Sequence, residues 1–226
     1  MRSVYYFVIF HALCFGLSTA AFAESSQTNL HTQQHPLLAS PIKNGFTWTL
    51  TSRLGQSLKL AEEKYGKRDP KWTILGVEFA KRKQPAIWYP FSQEGKHYII
   101  VQLTPDSLDN HKQALFQLAH ETIHLLSPAG GGHPTNVFEE GLAVYFSVLF
   151  LQQEGIDIKT DYITGANYRQ AYELVKELYR AYPQTDKIIQ QIREEKGKLS
   201  GLSVADLQHY FPNLDEDSAI LLITPF

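Results

Sequence analysis

The chain has 226 residues, 43% of them apolar, and a formal charge of -2, which is enough to bury one core and lies within the usual size of a single domain. Acidic and basic residues are mixed evenly along it, without a basic patch of the kind that condenses on phosphate backbones, and this argues against nucleic acid as a partner. The single cysteine, Cys14, lies in the first apolar stretch, so the rest of the chain has neither disulfides nor thiolate ligands, and any metal must be held by histidines and carboxylates.

Arg2 opens a short basic region, Val4 to Leu17 is nearly continuous apolar sequence, and Ala21-Phe22-Ala23 has the small-x-small form of a processing site. Residues 1–23 therefore read as a secretory signal cleaved after Ala23, which predicts export to the periplasm or beyond and no stable membrane anchor afterwards. The apolar run is short for a bilayer crossing. His11-Ala12-Leu13 lacks the small residue expected before a lipidated cysteine. Residues 24–45, rich in Ser, Gln, Thr and His and punctuated by Pro36 and Pro41, predict a flexible leader that does not pack, with His31 and His35 solvated. Residues 46–226 are expected to form one domain.

Phe46 to Leu50 alternates like a strand, and Leu54, Leu58 and Ala61 recur with helical spacing up to Tyr65. Lys71 to Phe79, Ala86 to Phe91 and His97 to Leu103 are rich in aromatic and branched residues and predict strands of a small sheet. Beyond Asp106 the period becomes helical: Asp109 to Leu126, Val137 to Gln153, Tyr168 to Ala181, Asp186 to Lys196, then short helices near Ser203 to Tyr210 and Asp215 to Leu222. No internal repeat is visible. The expected fold is α+β, a small N-terminal mixed sheet packed on a mainly helical domain.

His120, Glu121 and His124 form HExxH inside the Asp109 to Leu126 helix. Residues four apart share one helical face, so both imidazoles can reach one ion, and Glu121 lies on the flank of that face as a general base. The pattern arises by chance in roughly one chain of this length per hundred, so its setting matters. Ala114, Leu115, Leu118, Ala119, Leu125 and Leu126 supply an apolar stripe that holds the histidines near the interior. Catalytic zinc needs a third protein ligand. The metzincin continuation H-x-x-G-x-x-H fails, because Ser127 and Gly130 occupy the glycine and final histidine positions. Glu139 and Glu140 remain. Asn136-Val137-Phe138-Glu139 has the order of a capping box, which would occupy Glu139. That leaves Glu140 as the third ligand, with Gly141 and Ala143 beside it allowing close approach to the HExxH helix.

HExxH followed by Glu139-Glu140-Gly141-Leu142-Ala143 resembles the gluzincin metallopeptidases, over about Ala114 to Phe146. The resemblance implies a zincin-like domain, one zinc ion on His120, His124 and Glu140, Glu121 as base, and an active-site helix followed by a second ligand-bearing helix. In the aminopeptidase branch an oxyanion-stabilising tyrosine opens a later helix, and Tyr168-Arg169-Gln170-Ala171 is similar, which makes Tyr168 the candidate. Two departures stand out: Val144 replaces the aspartate that thermolysin-like enzymes carry four residues after the ligand glutamate, and there is no GxMEN-like motif. His133, after three glycines, reads as an exposed loop residue, and His97, His111 and His209 have no partner pattern.

The expected activity is peptide-bond hydrolysis by a zinc-bound water that Glu121 activates, on a peptide or protein substrate. The Ile99 to Leu103 strand is expected at a sheet edge, pairing with extended substrate. The rival readings are a zinc-binding or regulatory module that does not cleave, and a helical scaffold with an accidental motif.

Overall fold

The computed structural model describes residues 35–130, 134–158 and 162–226. The signal segment with Cys14 and Ala21-Phe22-Ala23, together with His31 and His133, falls outside the described residues.

The fold is α+β. Two short strands, β1 (Pro41–Ile42) and β2 (Gly45–Phe46), form a hairpin ahead of helix α1 (Leu50–Tyr65). A three-stranded sheet follows, made of β3 (Trp72–Phe79), β4 (Ala86–Gln93) and β5 (Lys96–Leu103), and then helices α2 (His111–His124), α3 (Val137–Gln153), α4 (Ala166–Ala181), α5 (Thr185–Lys196), α6 (Val204–Tyr210) and α7 (Glu216–Ile223). No helix of the described residues is long and apolar enough to cross a membrane.

The strand expected over Phe46 to Leu50 ends at Phe46. Thr49 instead caps α1, its amide donating to Ser52 Oγ at 2.8 Å, and Leu50 is a fully buried first helical residue. Alternation over five residues does not separate a strand from the entry into an amphipathic helix. The preceding polar stretch also reaches the domain: Pro36 is buried and its carbonyl accepts from Leu50 N at 3.0 Å. It thereby satisfies one of the amides that every helix leaves open at its start.

In the sheet β5 runs parallel to β3 and antiparallel to β4, in the order β3-β5-β4. Glu94 and Gly95, both at positive φ (52° and 75°), turn the β4–β5 hairpin, a backbone shape whose twist suits a two-residue connection. The strand expected at an edge, Ile99 to Leu103, is therefore in the middle, and the edges belong to β3 and β4. Ile99, Val101 and Leu103 are buried, as a central strand's core face requires. The sheet packs on α1 through β3 and on α2 through β4 and β5.

Asn110 caps α2, accepting from Gln113 N at 3.1 Å. The predicted stripe of Ala114, Leu115, Leu118, Ala119, Leu125 and Leu126 is buried throughout, at roughly 1.5–3 kcal/mol for each large side chain. Two polar ties fix the helix further. Gln117 exchanges hydrogen bonds with Thr104 at the end of β5, giving 2.7 Å to the hydroxyl and receiving 3.0 Å from the amide, and Ser57 of α1 donates to Thr122 at 2.9 Å.

Helix α3 lies between α2 and α4. The approach that Gly141 permits is to α4, not to the HExxH helix. A Cβ there would lie 2.3 Å from the Ala171 carbonyl oxygen and 2.7 Å from Val175 Cγ2. Behind the site, Arg193 of α5 spreads its guanidinium over carbonyls at the ends of two helices. It donates to Tyr65 O, to Gly66 O at 2.7 Å, and to Lys67 O and Leu126 O at 2.9 Å, with Nε on Ser127 Oγ at 3.3 Å. One side chain thus joins the end of α1 to the end of the HExxH helix.

Candidate metal centre

Three predicted residues converge between α2 and the first turn of α3. His120 Nε2 lies 3.3 Å from His124 Nε2 and 3.1 Å from Glu140 Oε2, and His124 Nε2 lies 3.5 Å from Glu140 Oε1. Bonds of roughly 2.0–2.2 Å in a tetrahedral shell set donor atoms about 3.3–3.6 Å apart, close to what the three residues present. Among the described residues this is the one group of three or more metal-binding side chains that could hold an ion.

The fit can be judged from hydrogen bonding alone. Glu139 Oε1 lies 2.8 Å from His124 Nδ1; a carboxylate only accepts, so Nδ1 donates to it and Nε2 is left facing His120 Nε2 and Glu140 Oε1. Thr135 Oγ1 donates to Glu140 Oε1 at 2.6 Å, whereas Glu140 Oε2 is buried without a hydrogen-bond donor despite its nearness to His120. A buried carboxylate oxygen without a donor, 3.1 Å from one imidazole nitrogen, and a second imidazole nitrogen 3.5 Å from its fellow oxygen fit a shared cation, to which both imidazoles would present lone pairs. The set of two imidazoles and one carboxylate, without thiolate, suits zinc with an open position.

In the absence of an ion the charges arrange themselves around the same point. Burial disfavours a charge on His124, but Glu140 and the bond to Glu139 outweigh it and raise its pKa. Burial likewise opposes ionisation of Glu140, yet His124 and His120 hold its pKa below the ordinary carboxylate range. Glu121, only 3% exposed, is pushed up chiefly by burial and also by the Glu140 charge, against the opposing charges of His124, His120 and Arg82. A carboxyl raised in this way is suited to take up and return a proton.

Tyr168, in the first turn of α4, also reaches the site. Its ring meets His120 edge to face, with centroids 5.8 Å apart, and burial, with the charges of Glu140 and Glu121, raises its pKa to about 12. The hydroxyl therefore stays protonated as a donor at neutral pH.

Glu139 departs from its expected role. Asn136 does cap α3, accepting from Glu139 N at 2.9 Å, but the Glu139 side chain turns to His124 instead of back to the Asn136 amide. A charge-assisted bond to a buried imidazole outcompetes a capping bond, and it supplies the carboxylate partner that ligating histidines usually have. Val144, where thermolysin-like enzymes carry an aspartate, is buried in a small apolar cluster with Ile163 and Tyr172. Thr135, Arg193 and Tyr89 also escaped sequence reasoning. Tyr89 of β4 is raised in pKa chiefly by burial, its hydroxyl beside the amides of Gly130 and Ala129 and within range of Glu121 and Glu139. Of the Glu139-Glu140 pair, the sequence pointed to Glu140 for the site and to Glu139 only for the cap.

The remaining histidines lie elsewhere. His97 bonds Ser92 Oγ at 2.8 Å under Trp72, His209 packs on Tyr210, and His35 stands near the Leu37 amide. His111 begins α2, its Nδ1 buried without a partner. A cleft of about 370 Å³ between α1 and β3, lined by residues such as Leu54, Arg68 and Trp72, contains none of the triad. Comparison with protein-family models, with curated proteins and with solved structures gives no match.

Proposed function

We propose that the chain is a gluzincin-like zinc metallopeptidase, with His120, His124 and Glu140 holding the ion. The observation that carries this reading is the buried carboxylate of Glu140, with Oε2 3.1 Å from His120 Nε2 and Oε1 3.5 Å from His124 Nε2, and buried Glu121 alongside. When bound, the ion supplies Lewis acidity, polarising a carbonyl and acidifying a water. Glu121 accepts the proton of the attacking water and delivers it to the leaving amine, for which its raised pKa suits it. Tyr168, a protonated donor beside His120, is positioned to stabilise the oxyanion. Glu139 orients His124, and Thr135 holds the second oxygen of Glu140.

A peptide substrate is favoured by β4. Among the described residues it is an edge strand on the α2 side of the sheet, with Trp88 and Phe91 exposed along it, and an edge of this kind can take an extended chain as a further strand. Residues 1–23 would direct export, which N-terminal sequencing of the mature protein tests.

The decisive experiment compares wild type with Glu121→Gln on unfolded casein and a peptide library, with and without chelator, alongside elemental analysis. Stoichiometric zinc in both proteins, with cleavage only in the wild type and lost to chelator, is the expected result. Zinc without Glu121-dependent cleavage would make the protein a binding module, and absence of stoichiometric zinc would reduce the motif to accident.

A further inference from the structure

Residues 224–226 run antiparallel to 135–137, the segment that leads into Glu140. Val137 N donates to Thr224 O at 3.0 Å, Phe226 N donates to Thr135 O at 2.9 Å, and Pro225 faces Asn136 across an isolated bridge. Thr135 is the residue whose hydroxyl holds Glu140. The pairing carries the Phe226 ring to 4.6 Å from the Tyr168 ring, which also meets the His120 ring edge to face. Phe226 nevertheless remains 37% exposed, so it lies on the site as a cover and not in the core.

An extended backbone paired to the rim of a site, with one ring against an aromatic wall, is how a peptide guest is held. We propose that 224–226 occupies a guest position: 135–137 is a docking edge for peptide main chain, and Tyr168 walls a subsite for a large apolar side chain, preferably aromatic. Phe226 fills that subsite in competition with substrate. The inference deepens the peptidase reading and rests on it for the identity of the guest. Three features favour a displaceable occupant over a permanent wall. Among the described residues the segment adds two backbone hydrogen bonds to 135–137, the ring keeps more than a third of its surface in solvent, and the ring it leans on at 53° belongs to the tyrosine that meets His120. The outward-facing ring contact is of a strength that a ligand ring can replace.

The test uses the full chain loaded with zinc. Calorimetric titration with phenylalanine hydroxamate and with alanine hydroxamate compares wild type and Phe226→Ala. Freeing the subsite is expected to tighten the phenylalanine compound by about three- to tenfold, with alanine hydroxamate and zinc affinity unchanged. Equal affinities in the two proteins, or equal changes for both compounds, would make Phe226 a packing residue and overturn the proposal. A second measurement needs no variant. In the wild type, saturating phenylalanine hydroxamate is expected to accelerate hydrogen exchange at the Val137 and Phe226 amides, and unchanged or slower exchange overturns displacement. Ring-selective binding without any Glu121-dependent cleavage sinks the peptidase reading while leaving the subsite standing. Failure of zinc-loaded protein to bind either hydroxamate sinks the subsite.

Discussion

Gly141→Ala is a sharp probe of how the ligand helix is held. The added methyl would lie 2.3 Å from Ala171 O, 2.8 Å from Ala171 C and 2.7 Å from Val175 Cγ2. Restoring ordinary contact requires α4 to retreat by about 1 Å. Val175 can rotate, but a helix carbonyl cannot. Overpacking against such an obstacle costs about 3 kcal/mol, from which the better helix propensity of alanine recovers about 1 kcal/mol. The net loss of about 2 kcal/mol lowers Tm by about 4–8 °C in a domain of this size. Because Glu140 precedes Gly141 and Tyr168 rides on α4, zinc affinity should fall as well. Gly55→Ala is the control: it is exposed on α1, has nothing within 4 Å of the new methyl, and should gain about 0.5–1 kcal/mol. Thermal unfolding of both variants, with and without zinc, checks the argument. A Gly141→Ala protein as stable as wild type would refute the helix crossing described for α3 and α4.

Removing the carboxylate that orients His124, by Glu139→Ala, should weaken zinc binding about 10- to 100-fold while leaving the ligand set intact; competition with a chromogenic chelator measures it, and an unchanged affinity contradicts the orienting role. Arg193→Lys keeps the charge but loses the fork that serves four carbonyls, and should destabilise by about 2–4 kcal/mol, read from urea unfolding. Zinc affinity should rise with pH across the neutral range. His124 of the metal-free protein, its pKa raised, is protonated there, so zinc uptake must release that proton, which calorimetry in buffers of different ionisation enthalpy detects. The stability consequence has the opposite sign for the metal-free protein. The raised His124 contributes stability fully below its unfolded pKa of about 6.5, and that contribution is lost as pH rises toward the folded value. The Tm increment on adding zinc should therefore grow with pH, and a flat increment would show that His124 of the metal-free protein does not hold a proton across that range.

Features set by neighbours three or four residues away were readable in the chain. HExxH needs only helical spacing to put His120 and His124 on one face, and the stripe from Ala114 to Leu126 needs only that same period to bury them. The helix over Val137 to Gln153 carried its own cap in Asn136, and Glu140 could be named because few donors follow HExxH. Short range also explains the misreading at Phe46 to Leu50, where alternation over one turn of chain fits two structures.

What the tertiary structure decided was pairing between distant segments. Whether β5 is an edge or a centre depends on β3 joining it from the far side of β4, and no local period encodes that. Glu139 could serve a cap or a histidine, and only the packing of α3 against α2 brought His124 within 2.8 Å and settled the competition. Gly141 announced a close approach without saying to what, and α4 supplied the answer. Arg193 and Phe226 carry no motif, because a guanidinium on carbonyls at the ends of two helices and a ring on Tyr168 exist only after the chain has returned to its starting point. Spacing along a helix determines which side chains share a face, whereas the relative placement of helices and strands determines what that face meets.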